Sequence, residues 1–465
     1  MSIKKKIVST IFVKNPIDVR NEVLLSFKAG ADIVEIRIDG LKNISVARTL
    51  LDIPEEYPVI FSGNPTFCTL SEMKFFMEAQ KKGAFVDIPY SENLKIPHTL
   101  DKNKLIISFY GKVENYSFYT RLAHRLEHLA KYVKIVPYRE NFCDSAQFLK
   151  WTSRMITHPR LIAFPSGPES KFAKILSPGY GSRWVYSLSP HSLKTMEGDI
   201  RLEELLKYEP LLISNKTEVV GLFGYPLNHT EIPEIWNRWF RDQDIDAICV
   251  PFICKDIQSG IAGLSYLKTK FVGVTSPHKM AIINYLDKVS KKSQICHSVN
   301  TIVDDDGKLF GFTTDIYALL RCLNFVEEND KILILGTGGA TRSAIYALRR
   351  KARIFVSSRN ETMGKELCNY YKVDFIPWKE KESGDYNVVL NCTAIGSDGR
   401  NIPWQKDKGF NAKYLLDMVV IKNLTPFEKF AKDKGAKIIR GKEFLYHQAK
   451  MQFRIFFSKF LKQNQ

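Results

Sequence analysis

The chain has 465 residues, roughly three ordinary domains in length, with 45% hydrophobic and 25% charged residues. That composition excludes a disordered, collagen-like or low-complexity chain, and no apolar run approaches the ~20 residues of a membrane-spanning helix. The formal charge of +18 is spread over both halves, +7 before Lys216 and +11 from it onward; it suits anionic small molecules, and no RNP, helix-turn-helix or zinc-finger pattern points to nucleic acid.

The N-terminal MSIKKKIVSTIF has a short apolar stretch and no small-residue cleavage site, so it predicts a first strand rather than a signal peptide. Seven further apolar runs follow: DIVEIRI, PVIFS, AFVDIP, KLIISF, YVKIVP, RLIAFP and RWVYSL, beginning near positions 32, 58, 84, 104, 132, 160 and 183. Each interval holds a strand, a loop and a crossover helix. VRNEVLLSFKAG and LSEMKFFMEAQKKG are two such helices, each ending on a C-capping glycine. Eight consecutive units predict a closed (β/α)8 barrel, with chemistry at the C-terminal ends of its strands.

Glu35 and Arg37 alternate within DIVEIRID and face one side of their strand. Lys134 lies among apolar neighbours in YVKIVP. It is either an edge lysine snorkelling to water or a desolvated amine whose pKa falls, making it nucleophilic. A last helix, Leu202 to Tyr208, leads into Pro210 and the polar stretch Ser214 to Glu218. The expected boundaries are a barrel over 1–214, a substrate-binding domain over 215–320 and 440–465, and a nucleotide-binding domain over 321–439.

The second half contains KILILGTGGATRSAIYALRRKARIFVSSRN, a strand, a glycine turn, a helix and a second strand. Gly336, Thr337, Gly338, Gly339 and Ala340 form a phosphate-binding turn at a helix N-terminus. Ser357, Ser358 and Arg359 stand where a NAD site carries an acid, which suits a 2′-phosphate and so NADP(H). Lys279 in VTSPHK and Asp315 in GFTTD each sit at an element's end. Alone, the pair reads either as ordinary surface charges, with Asp315 as an N-cap, or as a proton relay for a secondary alcohol. The eight cysteines form no CxxC pair and no metal-ligand spacing, so a reduced, cytoplasmic compartment and no metal are expected.

In order, GYPLNHT, VTSPHK, SVNT, GFTTD, LGTGGATRSA, SSRN, NCTAIG, LLDMVV, TPF and GKEFLYHQA resemble shikimate dehydrogenases over about 250 residues. The resemblance implies a two-lobed α/β region with a Rossmann domain. It makes Lys279 and Asp315 the catalytic pair and gives substrate contacts to Thr230, Thr275, Asn300 and Gln448. NADP contacts fall to the Gly336–Ala340 turn, Arg359 and Gly441. Ile232 replaces a carboxylate-binding serine, Gly273 and Thr313 replace asparagines, and Val420 stands where a tyrosine is frequent.

The first half resembles type I 3-dehydroquinate dehydratases through DIVEIRID, YVKIVP, KILSPGYGS and EGDIRLEEL. That implies a Schiff base on Lys134 and substrate contacts from Glu35 and Arg37. Tyr110 takes the place of the proton-shuttling histidine, Lys174 of a carboxylate-gripping arginine, and Asp199 of a glutamine, where its charge repels an anionic substrate. A weakened or lost dehydratase step is therefore expected. Barrel then dehydrogenase resembles the fused enzymes of plants and chlamydia-type bacteria. It implies dehydration of 3-dehydroquinate and NADPH-dependent reduction of 3-dehydroshikimate to shikimate, with small anionic substrates and no nucleic-acid or membrane partner. Alternatives are an NADP-dependent dehydrogenase of a related polyol acid such as quinate, and a non-catalytic regulator.

Overall fold

The computed structural model describes residues 4–463 apart from 15, 42, 43, 55, 65–67, 93–95, 193–195, 228, 229 and 268. The eight apolar runs form parallel strands β1 (Lys6–Phe12), β2 (Ile33–Arg37), β3 (Val59–Ser62), β4 (Phe85–Pro89), β5 (Leu105–Gly111), β6 (Tyr132–Pro137), β7 (Leu161–Ala163) and β8 (Trp184–Leu188). They lie side by side in the order β7-β6-β5-β4-β3-β2-β1-β8. The seam between β7 and β8 is bridged by the Arg183 N–H, which donates to the Leu161 carbonyl at 2.8 Å.

The two-residue strand period sorts the side chains into two layers. Val34, Ile36, Val133 and Ile135 face outward and pack with Val23, Phe75 and Phe76 of the surrounding helices. Val8, Ile33, Ile60, Ile106 and Trp184 fill the barrel interior. Glu35, Arg37 and Lys134 alternate with the outward residues, so the register that buries Val34 and Val133 against helices turns these charges inward.

The crossover helices are α1 (Val19–Lys28), α2 (Leu70–Lys81), α3 (Tyr116–Leu126), α4 (Phe142–Arg154) and α5 (Lys171–Leu176), with α6 (Leu202–Leu206) after β8. Thr69 and Glu72 close a reciprocal capping box on α2. The α1 and α2 glycines, Gly30 and Gly83, have φ of +109° and +91°, as a left-handed helix exit needs. Two crossovers differ from expectation. β2 reaches β3 through a 3-10 stretch, Ile44–Asp52, and β4 reaches β5 with only the 3-10 turn Lys102–Lys104 among the described residues. Prolines at 89 and 97 remove backbone donors from the latter connection.

The second half runs β9 (Glu218–Gly224), α7 (Ile232–Asp242), β10 (Ala247–Ile253), α8 (Ile257–Leu267), β11 (Phe271–Val274), β12 (Lys288–Val289), α9 (Lys291–Cys296), β13 (Thr301–Asp305), β14 (Lys308–Phe312) and α10 (Asp315–Cys322). It continues with β15 (Asp330–Leu335), α11 (Gly339–Leu348), β16 (Ala352–Ser358), α12 (Glu361–Tyr371), β17 (Asp374–Pro377), β18 (Tyr386–Asn391), β19 (Ala412–Asp417), α13 (Pro426–Asp433), β20 (Lys437–Arg440) and α14 (Gly441–Gln463). The last six strands form a parallel sheet in the order β17-β16-β15-β18-β19-β20. This is the doubly wound arrangement that binds dinucleotides where the strand order reverses, at the end of β15.

Two compact units share the chain: residues 1–219 with 240–269, and residues 220–239 with 270–465. In the first, α8 packs on α4 closely enough that a Cβ on Gly263 would lie 2.6 Å from the Phe142 ring. Buried Glu169 joins the same region by accepting the Phe142 and Lys255 N–H groups, both at 2.9 Å. In the second, β9, β11, β13, β14 and β12 are neighbours in that order, and the hairpin between β13 and β14 turns at Gly307 with φ of +86°.

Candidate active sites

Inside the barrel, Lys134 is 1% exposed. Its Nζ donates to Glu35 Oε1 at 2.8 Å and Asp87 Oδ2 at 3.0 Å, and lies 4.2 Å from the centre of the Tyr186 ring. Thr10 Oγ1 holds the other Glu35 oxygen at 2.9 Å. The partners arrive from β2 and β4, so strand pairing alone brings together residues 99 and 47 positions apart from Lys134. Asp87 escaped notice in the sequence. Its only signal was an acid at an inward position of the run AFVDIP.

The expectation that burial would lower the Lys134 pKa is corrected. Burial pulls it down, but Asp87 and Glu35 together push it well above its ordinary value. The same burial drives Asp87 up despite Lys134, while Glu35, although desolvated, is held low by Lys134. Asp87 is thus the carboxylate best placed to receive the lysine proton. The Asp87→Asn change removes one of the two charges that keep Lys134 protonated. It should move the pH dependence of Lys134 acylation toward lower pH, read by mass spectrometry of the modified peptide. A profile unmoved from wild type would show that Asp87 does not govern this amine.

Tyr110 lines the same cleft, and burial raises its phenol to about 12, so it remains a proton donor at neutral pH. Arg37 also lines the cleft, but its Nε and Nη2 are bound to Asp39 at 3.1 and 2.6 Å. The expected repulsion from Asp199 is corrected as well. Lys174 Nζ sits 2.7 Å from Asp199 Oδ1, with both side chains at most 4% exposed, so the acid's charge is matched within the cleft wall. The two replacements compensate each other.

In the second unit, Lys279 Nζ lies 2.6 Å from Asp315 Oδ2, and Asp315 is fully buried. Lys279 follows β11 by a turn, and Asp315 opens α10 after β14, so two loops converge on the pair. Asn300 donates from Nδ2 to Asp315 Oδ1 at 2.7 Å and to Thr314 Oγ1 at 2.9 Å. Its Oδ1 accepts from the Thr314 N–H at 2.9 Å and from Thr301 Oγ1 at 2.8 Å. Its amide is therefore committed to orienting Asp315. Gln452, which sequence reasoning missed, donates to the Asn300 carbonyl at 2.8 Å, one helical turn beyond the buried Gln448 on α14.

Thr275 is half-buried, its N–H bonded to the Phe223 carbonyl at 2.8 Å. Thr230 Oγ1 accepts from the Ile232 N–H at 3.3 Å at the start of α7, and Ile232 is 5% exposed in the apolar core. Asn228 and His229 of the first motif lie outside the described residues. Gly273 packs so near Leu222 that an added Cβ would lie 3.0 Å from Cδ1, and Thr313 Oγ1 is buried without a hydrogen-bond partner.

The glycine turn meets this pair directly. Gly336 has φ of +112°, and Gly339 opens α11 so close to the lysine that an added Cβ would lie 3.0 Å from Lys279 Cβ and 2.7 Å from Ser298 Oγ. A Cβ on Gly338 would meet nothing within 4 Å, leaving open space at the helix N-terminus for a phosphate. Arg359 is exposed at the end of β16. Gly441 starts α14 where a Cβ would lie 2.6 Å from the Val419 carbonyl oxygen, a close approach only glycine allows. The residues present thus fit a dinucleotide.

Among known families, the model for type I 3-dehydroquinase matches residues 7–212. That for the shikimate dehydrogenase substrate binding domain matches residues 222–302. The chain is 32% identical over 251 residues to a shikimate dehydrogenase (NADP(+)) of Dictyoglomus turgidum, covering 51% of this chain and 91% of that protein. It is 31% identical over 255 residues to the shikimate dehydrogenase (NADP(+)) of Pyrococcus furiosus, covering 52% and 92%. A crystal structure of shikimate dehydrogenase from Aquifex aeolicus aligns at 28% identity and a TM-score of 0.48, over 52% of this chain and 93% of that one.

Proposed function

The chain belongs to the shikimate dehydrogenase family and carries a type I 3-dehydroquinase domain ahead of it, and from that premise we propose that one polypeptide performs two consecutive steps. The barrel, residues 1–214, removes water from 3-dehydroquinate. The region from 215 onward reduces the resulting 3-dehydroshikimate to shikimate, its substrate-binding domain formed by 215–320 and 440–465 and its NADP-binding domain by 321–439. The observation that carries the reading is the Lys279–Asp315 pair at 2.6 Å, abutting the glycine turn.

NADPH, when bound, supplies the hydride for the ketone. Lys279 then delivers the proton to the new alkoxide oxygen, and buried Asp315, held by Asn300, keeps the ammonium aimed. Thr230, Thr275 and Gln448 surround the substrate. The glycine turn, Arg359 and Gly441 receive the nucleotide. In the barrel, Lys134 gives a proton to Asp87 and attacks the substrate ketone, and loss of water leaves an iminium. That cation draws electrons from the neighbouring carbon, so the α-proton becomes acidic. Its loss to a base and departure of the protonated β-hydroxyl as water leave a conjugated iminium, which a second water hydrolyses to 3-dehydroshikimate and the free Lys134 amine. Glu35 and Arg37 line the cleft beside the bound substrate.

A coupled assay tests the whole reading. NADPH absorbance should fall when dehydroshikimate is added, and also when dehydroquinate is added, the second rate being limited by the barrel. No consumption with dehydroshikimate overturns the reductase. Consumption with dehydroshikimate alone overturns the dehydratase, and faster turnover of quinate than shikimate overturns the substrate assignment. Arg359→Ala should raise the KM for NADPH tenfold or more, the equivalent of about 1.5–3 kcal/mol for a charge-assisted bond, with little effect on NADH. Equal changes for the two cofactors would remove Arg359 from the 2′-phosphate.

A further inference from the structure

On the outside of the barrel, α3 ends in the sequence HRLEH, residues 124–128. Glu127 caps that helix, and three imidazoles surround its carboxylate. His158 Nε2 lies 2.8 Å from Oε2, His124 Nδ1 3.5 Å from Oε1, and His128 Nε2 3.9 Å from Oε1. The ligand atoms of His124, Glu127 and His158 all fall within 4.8 Å of one another. His158 comes from the turn between α4 and β7, 31 or more residues further along the chain.

Nothing in the two reactions uses these residues. His158 has a 3% exposed side chain, and its buried Nε2 faces the Glu127 carboxylate, with the Ala123 backbone also interacting with the ring. Two imidazoles and a carboxylate are a donor set that suits zinc. We propose that His124, Glu127 and His158 form a zinc-binding site that clips the end of α3 to the turn before β7.

Binding through His158 Nε2 places the ring proton on Nδ1, which gives up the long 3.4 Å contact from the Arg160 N–H and the ring's interaction with the Ala123 backbone. His124 is 60% exposed with its Nδ1 already 3.5 Å from the Glu127 carboxylate, so solvent reaches the cluster and can supply the fourth ligand as water. Glu127 precedes β6 and His158 precedes β7, so the ion lies at the end of the barrel where strands begin. In this fold that end serves stability, while chemistry occupies the other. Sequence reasoning missed the site because its third ligand is distant in sequence and no paired cysteines announce it.

The test uses the full chain, freed of metal by chelator and titrated with zinc chloride. Wild type should bind one zinc at this site, measured by competition with a chromogenic indicator, and its melting temperature should rise. His124→Ala and the pair His124→Ala/Glu127→Gln, both at partly exposed positions, should fold as well as wild type without metal. They should lose roughly ten- to a hundredfold in zinc affinity, or more, together with the thermal gain. His98→Ala, a change at an exposed histidine elsewhere, should leave both unchanged. No binding by wild type at micromolar zinc, or binding equal in all variants, overturns the proposal and leaves an ordinary His158–Glu127 ion pair.

Discussion

Lys279→Ala should lower kcat for dehydroshikimate reduction by about 10²–10⁴-fold, the range a positioned general acid contributes, while the KM for NADPH stays near wild type. The Nζ stands 2.6 Å from Asp315 and beside the glycine turn, so on the proposed reading its removal takes away the proton donor to the alkoxide oxygen that forms as the carbonyl carbon receives hydride. Asp315→Asn should produce a comparable loss by another route. The amide keeps an oxygen for Asn300 Nδ2 but no longer carries the charge that holds the ammonium in place. Because the two side chains act as a unit, the double variant should be scarcely worse than either single one. NADP binding by fluorescence guards against a folding artefact, since Lys279→Ala leaves Asp315 buried without its counter-charge. A Lys279→Ala enzyme within tenfold of wild type in single-turnover reduction would end the proton-relay assignment.

Lys134→Met should abolish the covalent adduct that borohydride traps from dehydroquinate, and with it all dehydratase turnover, because no other lysine Nζ lies against Glu35 and Asp87 among the described residues. Dehydroshikimate reduction should survive. The same substitution should cost stability in a pH-dependent way. Two buried carboxylates lose their shared cation, and breaking such a pair typically costs about 3–5 kcal/mol. Asp87 already has a raised pKa, caused first by burial, and without Lys134 it rises further. A carboxyl raised in the folded state destabilises while ionised, so stability is recovered as pH falls through its folded value. Melting curves should therefore show a larger deficit at pH 8 than at pH 5. A deficit independent of pH would mean that the carboxylates are not the strained partners.

These two clusters differ in how much of them the amino-acid order discloses. Lys279 and Asp315 stand in short motifs at element ends, so their residue types and local setting are visible before any fold is known. Glu35 and Arg37 disclose their common face through alternation. The behaviour of Lys134 does not follow from its own strand, where apolar neighbours argue for a depressed pKa. It depends on Asp87, two strands away. Asn300 illustrates the same point: the family resemblance implies a substrate contact, and only the fold shows that its side-chain amide also bonds Asp315 and Thr314. Lys174 and Asp199 look like two separate defects in order and become one neutral pair in space.

What the order of residues determined alone was everything with a short period or a local cause: eight barrel strands, the glycine exits of α1 and α2, the glycine turn that opens α11 and the family relationship. Strand alternation and helix capping involve neighbours within a few positions, so they are legible one segment at a time. The tertiary structure alone decided which charges meet, and hence the protonation of Lys134, the neutral pairing of Asp199 and the cluster around Glu127. Coulomb energy depends on separation through space and on burial, and neither is encoded by distance along the chain.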